Sequence, residues 1–280
     1  MTKETKAALF MTAAAFFLSL VPLAVKLVPA DSGIPTSEKL VARGLVAVIV
    51  TFILIKKRGE SLVSGKPWLL FLRSALGTIG MVLYFVALEE LPLADTVTVN
   101  KLSPFFVLLF SWIFLREKLK KIQIIAIVTA FAGVALVANP VGMTVSRAII
   151  LALASAVFAG AAYTTLRALR KYDSPLRVVF WFSLFSVIAF LPKTISGGVI
   201  PTGTSIFPLL GIGIAGVLGQ VLMTTAYRYA PGGKVAVYGY LSVVFSVIWQ
   251  VSVFKEMPSM MVLAGAILVM TGGWINYRFR

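Results

Sequence analysis

"TVTVNKLSPFFVLLFSWIFL", residues 96–115, is apolar along most of its length, yet it holds Asn100 and Lys101 in its first half, with Pro104 close behind. About 20 such residues in a helix match the roughly 30 Å hydrocarbon layer of a bilayer. With the segment starting at Leu93, Lys101 lies about 12 Å deep at about 1.5 Å per residue. A lysine at that depth costs about 2.5–3.5 kcal/mol even on permissive insertion scales, so it is expected to face water or a partner rather than lipid.

The remainder of the chain has the same character. Of 280 residues 59% are hydrophobic and 13% charged, a balance that suits a membrane and not a soluble core. Ten apolar segments are expected as transmembrane helices: 7–28, 39–55, 68–88, 93–115, 122–138, 148–168, 177–195, 206–228, 234–254 and 259–277. The breaks between them carry turn and charge signals such as "EELPLAD" (89–95) and "YAPGGK" (229–234). Met1 to Lys6 is too short and polar for a cleaved signal, so the first segment is expected to be retained.

Charge sets the expected orientation. With the N-terminus cytoplasmic, 18 of the 26 Lys and Arg residues fall inside and only Lys39, Arg147, Lys193 and Lys255 outside; the other four lie within segments. Both termini are therefore expected on the cytoplasmic face of an inner or plasma membrane. The net charge of +16 is spread between apolar segments, which argues against nucleic acid as a partner.

The two halves also repeat. Residues 76–138 laid over 215–277, a constant offset of 139, give eleven identities, among them Gly77/Gly216, Gly80/Gly219, Pro92/Pro231, Ser103/Ser242, Glu117/Glu256 and Gly133/Gly272. Five crossings per half is an odd number, so the halves are expected to sit inverted, as in secondary transporters. The fold expected is all-α and polytopic: ten transmembrane helices as two inverted five-helix repeats, residues 1–140 and 141–280.

The chain resembles the drug/metabolite transporter superfamily, EamA-type branch. The residues that carry the resemblance are "RSALGTIGMVLYFVALEELPLADTVTVNKLSPFFVLLFSWIFLREKL" (73–119) and the weaker echo "GVLGQVLMTTAYRYAPGGKVAVYGYLSVVFSVIWQVSVFKEM" (216–257). Val243 stands where the first half has Pro104. The resemblance implies a central cavity walled by spans 1–4 and 6–9, with spans 5 and 10 peripheral.

Several residues are candidates for solute binding. Ser103 and Ser111, beside Thr96, Thr98 and Asn100, follow a four-residue step on span 4; Tyr238, Ser242, Ser246 and Gln250 form the matching stripe on span 9. Two readings stay open for the stripe: cavity lining, or hydrogen bonding between helices at roughly 0.5–2 kcal/mol each. Lys101 is expected to bind an anionic group of the solute, with an ion pair, for instance to Asp95, as the alternative. Tyr84, Tyr163, Trp181, Tyr238 and Tyr240 offer stacking surfaces, and Pro104 a hinge. Lys26 and Arg43 are assigned to snorkelling at the outer interface, with an outer vestibule that attracts anions as the alternative, and Arg73 to an anchoring position. Glu117 and Glu256 are read as helix-end caps.

Chemistry narrows the function class. With no Cys and no His, thiol chemistry and the commonest metal ligand and general base are absent, so an enzyme is not expected, nor any metal or other cofactor. None of the ten acidic residues is central to a segment, which argues against proton/cation exchange. The expected function is alternating-access transport of a small anionic or zwitterionic metabolite, such as an amino acid or nucleotide-like compound, as exporter or exchanger. A lipid flippase or scramblase, or a multidrug exporter, is the alternative. Besides the solute and membrane lipid no partner is implied, and a monomer or a homodimer would serve.

Overall fold

The computed structural model describes residues 2–115, 119–138, 146–229 and 232–278. Among these every long element is a helix: α1 (Lys3–Leu27), α2 (Thr36–Lys57), α3 (Pro67–Glu90), α4 (Leu93–Asn100), α5 (Ser103–Leu115), α6 (Lys121–Ala138), α7 (Arg147–Leu169), α8 (Pro175–Gly197), α9 (Ile206–Tyr229), α10 (Gly232–Gly239), α11 (Leu241–Ser252) and α12 (Met260–Arg278). Among the described residues eight spans are long and apolar enough to cross a membrane, counting Leu93–Phe114 as one. The α2 helix is also long enough, but carries Glu38, Lys39 and Arg43 in its first half; α10 and α11 supply the tenth crossing. Outward faces expose Ile49, Phe71, Phe114, Ile125, Val128 and Ile188, as a lipid-solvated surface requires.

The offset of 139 extends well beyond the identities. Added to the bounds of α3 it gives 206–229, those of α9; added to α4 it gives 232–239, those of α10; added to α2 and α6 it gives α8 and α12 to within one residue at the end. The boundary expected at 140/141, along with Arg116, Glu117, Lys118 and Pro231, lies outside the described residues.

Two pairs of equivalent helices, α2 with α8 and α6 with α12, pack side by side and run in opposite directions. Along α2 and α8, Glu38 accepts from the Val199 N–H, Gly44 meets Ser183 and Val187, and Ile55 clusters with Leu176 and Phe180. Along α6 and α12, Gly133 meets Gly265 and Val269, while Gly272 meets Ala126. Antiparallel neighbours related by repeat mean that the two bundles are inverted about an axis passing between them. The symmetry shows again in the two cross-repeat pairs, α1 on α9 and α3 on α7. Peripheral α6 and α12 approach so closely at Gly133 and Gly265 that neither position has room for a side chain.

Spans 4 and 9 are not the continuous helices expected of 93–115 and 234–254. Each breaks in its middle, at Lys101–Leu102 and at Tyr240, which are equivalent positions. There the chain tightens: Leu102 N–H bonds Val99 at 3.0 Å and Phe105 N–H bonds Leu102 at 2.9 Å, and in the second half Val243 N–H bonds Tyr240 at 2.9 Å. Pro104 is therefore the second residue of α5, where its missing N–H costs nothing, rather than a kink inside a helix. The second break forms without any proline. What the two share is a poor helix former just before the break, Asn100 and Gly239.

Candidate functional site

A central cavity lies between a pocket on one side of the bundle and a vestibule on the other. The central cavity, about 140 Å³, is walled by α1, α2, α3, α4 and its break, α7, α8, α9 and the start of α11. On the side bearing the N-terminus a pocket of about 60 Å³ is lined by Leu166, Arg167, Arg170, Tyr227 and Arg228, and shares Tyr163 with the central cavity. On the opposite side a vestibule of about 660 Å³ is lined by Lys26, Lys39, Glu89 and Lys193. Phe85 walls the central cavity, Val25, Leu40 and Leu88 wall the vestibule, and these four pack into one apolar cluster that separates the two.

The sequence candidates divide. Lys101, Asn100, Tyr84, Tyr163 and Ser242 line the central cavity. Asn100 is held by donating to Ser155 Oγ at 2.9 Å. Ser103 and Thr98 are buried beside the break but do not line the cavity, and Pro104 lines the N-terminal-side pocket. Tyr240 is packed into the α5–α6–α12 core against Phe105, and Tyr238 stands edge-on to Tyr277. Trp181 is on the outer face of α8, donating to Leu62 O at 2.9 Å. The polar stripe works largely as contacts between helices. Gln250 Oε1 accepts from the Ala94 N–H at 2.8 Å, capping the N-terminus of α4 from the other repeat, where Pro92 as the N-cap has no side chain to do so. Ser111 accepts from Arg167 at 2.8 Å.

Two cavity cations overturn the interface assignment. Arg43 and Arg73 are 4% and 2% exposed, and both line the cavity that Lys101 faces. Arg43 shares the buried face of α2 with Ala47, Thr51 and Ile55 at four-residue steps, while Leu45 and Ile49 face outward; Arg73 shares that of α3 with Leu70, Ser74 and Gly80. That small-residue face is the sequence signal that points both side chains inward. Lys26 does line the opposite-side vestibule, and no ion pair joins Lys101 to Asp95 among the described residues.

Phe182 holds both guanidinium groups: Arg73 Cζ stands 4.5 Å from the ring centroid and Arg43 Cζ 5.6 Å. Their separation cannot exceed the sum of those distances, about 10 Å, and at an effective dielectric near 20 the repulsion is then roughly 1.7 kcal/mol or more. Glycines make the room. A β-carbon at Gly77 would overlap Arg73 Nη1, and one at Gly216, its repeat partner, would stand 3.0 Å from Arg43 Nε. Among the described residues Arg73 Nε and Nη1 find no hydrogen-bond partner, nor does Gln220 Oε1 in the same cavity. Among the described residues no acidic one lines the cavity. The arrangement can bind negative charge, and it leaves buried donors waiting for acceptors.

Comparison with known proteins agrees with this architecture. Residues 5–139 and 146–278 each match the EamA-like transporter family. The pseudopaline exporter CntI of Pseudomonas aeruginosa (strain UCBPP-PA14) is 29% identical over 91% of this chain and 90% of its own. Human solute carrier family 35 member G1 is 28% identical over 79% of this chain and 65% of its own, and the riboflavin transporter of Vibrio cholerae 24% over 96% and 92%. A solved crystal structure superposes with a TM-score of 0.72 over 97% of this chain and 96% of its own at 22% identity, a likeness of fold.

Proposed function

Because this chain belongs to the EamA-like transporter family, a membrane transporter and not an enzyme, we propose that it moves a small organic solute with anionic or zwitterionic character through its central cavity. The observation that carries this reading is the convergence of Arg43, Arg73 and Lys101 on one buried cavity with no acidic residue in its wall among the described residues. An uncompensated cluster of cations in low dielectric is costly, and a bound anion removes that cost. A cationic drug would meet repulsion there, which disfavours a multidrug exporter.

Alternating access fits this arrangement of cavities. The central site is shut from the vestibule by Phe85, Leu88 and Leu40, and bordered on the other side by Tyr163. Rocking of one inverted repeat against the other would open one barrier as the other closes. The broken spans 4 and 9 cross the middle of the bundle and supply the joints. Export from the cytoplasm through a plasma or inner membrane, with both termini cytoplasmic, is supported by the 18-to-4 charge asymmetry and by the exporter among the relatives.

Counterflow into proteoliposomes tests the reading. Purified carrier preloaded with a mixture of unlabelled amino acids, carboxylates and nucleotides should exchange labelled anionic solutes and not organic cations. Uptake of tetraphenylphosphonium with no uptake of any anion would reject it.

A further inference from the structure

We propose that Arg43 and Arg73, mounted on Phe182 and completed by Lys101, form a subsite for a polyanion: two carboxylates, or one phosphate, of a single solute. The inference rests on the reading of the central cavity as the solute site and adds the charge the solute must carry.

Three features lead to it. Both arginines are at least nine-tenths buried, and among the described residues Arg73 Nε and Nη1 are without acceptors although they sit at a cavity wall. Guanidinium N–H groups present a planar fork that matches carboxylate or phosphate oxygens two at a time. A lone monoanion satisfies one such fork and leaves the second guanidinium and the ammonium desolvated. Neither hydrogen bond nor ion pair engages Arg43, Arg73 or Lys101 through its side chain among the described residues, so the cavity presents three cationic groups to its occupant.

The second feature is positional. Arg43 and Phe182 are repeat partners, 139 residues apart, meeting where α2 crosses α8. The partner of Arg73 is Ile212, and that of Lys101 is Tyr240. All three charges therefore come from the first repeat, whereas the second contributes Phe182 and Tyr163 to the wall. The positive charge is confined to the first repeat's share of the wall, which orients a solute with its anionic groups gathered there.

Third, the space is made for these side chains. Gly77 and Gly216 lie under Arg73 and Arg43 respectively, so each guanidinium occupies a notch that a larger residue would fill. A structural role for buried arginines needs partners that hold them, and the stacking on Phe182 leaves their N–H edges free to turn toward the cavity.

Thermal unfolding of the purified full-length carrier in detergent is the test, with succinate, citrate, inorganic phosphate, acetate and glycine as probes at matched ionic strength. Succinate, citrate or phosphate should raise the melting temperature saturably, with acetate and glycine at least tenfold weaker. Carboxylate-only protection assigns a polycarboxylate, and phosphate-only protection a phosphate ester. Arg73→Gln should weaken the protecting anion at least tenfold while the empty carrier melts higher than wild type, because a repelling buried cation is gone. Should that variant fail to fold, Arg43→Gln and Phe182→Leu carry the same expectation for anion affinity. Acetate protecting as well as succinate would overturn the polyanion subsite but leave the anion carrier standing. Protection by no anion would overturn both, and unchanged polyanion affinity in a less stable Arg73→Gln would overturn the subsite alone.

Discussion

Arg43 and Phe182 hold equivalent places in the two repeats and meet across the inversion axis, guanidinium carbon 5.6 Å from ring centroid. A position that symmetry would fill twice with one residue type is filled by a cation and the aromatic face that supports it. The chamber's polarity begins at this pair, and most of its chemistry follows from how Arg73 and Lys101 are added to it.

Lys101 sits where α4 ends and α5 has not begun, so its side chain leaves a helix break rather than a continuous face. Lys101→Ala removes a charge-assisted contact worth about 1.5–3 kcal/mol, which is roughly ten- to hundredfold in affinity. Transport measured by counterflow should fall accordingly, with the melting temperature held or raised. Normal transport by the alanine variant would remove Lys101 from the pathway.

Gly77→Ala should fold and transport poorly. The added methyl would overlap Arg73 Nη1 and stand 2.9 Å from Phe182, so the guanidinium must swing out of its notch. Solute affinity should drop about tenfold, in proportion to one displaced charged contact. Gly216→Ala, where the closest approach is 3.0 Å to Arg43 Nε, should show a smaller loss. Binding isotherms of the two variants rank them directly.

Gln250→Leu should cost about 1–3 kcal/mol of stability, because the buried Ala94 N–H at the start of α4 loses its acceptor. Gln250→Glu retains an oxygen there and should be milder in the same melting experiment. An unchanged melting temperature for the leucine variant would mean that another group caps α4.

Gly133→Val forces α6 away from α12, since its first side-chain carbon would come 2.6 Å from Gly265 O. Overpacking of this kind costs about 1–3 kcal/mol. The site is remote from the central cavity, so folded variant should bind solute normally while melting earlier. A binding defect would tie the peripheral pair to the transport cycle.

Helix positions, the doubling and the inversion were legible because each rests on composition over many residues: apolar length, an offset of 139 and an odd number of crossings. The interior direction of single side chains was not. Arg43 and Arg73 lie about as far into their helices as Lys101 does into its own, so the depth argument applies equally to all three. Reading the two arginines as interface residues neglects the small and buried residues that share their helical faces. Tyr240 went the other way. It matches Lys101 by offset, yet its ring fills the close approach to Gly273, and a core position looks like a site position until the neighbouring helix is in place. The break in span 9 was overlooked for a different reason, since only Gly239 precedes it and no proline announces it.

The uneven division of charge sets a limit on ancestry. Two separate copies of residues 1–140, assembled tail to tail as a symmetric pair, would place Arg43 against Arg43 and crowd six positive groups into one chamber with no ring to seat them. Such a pair would be held apart by its own binding site. Only once the two halves were encoded separately, free to mutate independently, could one keep the cations and the other become their support.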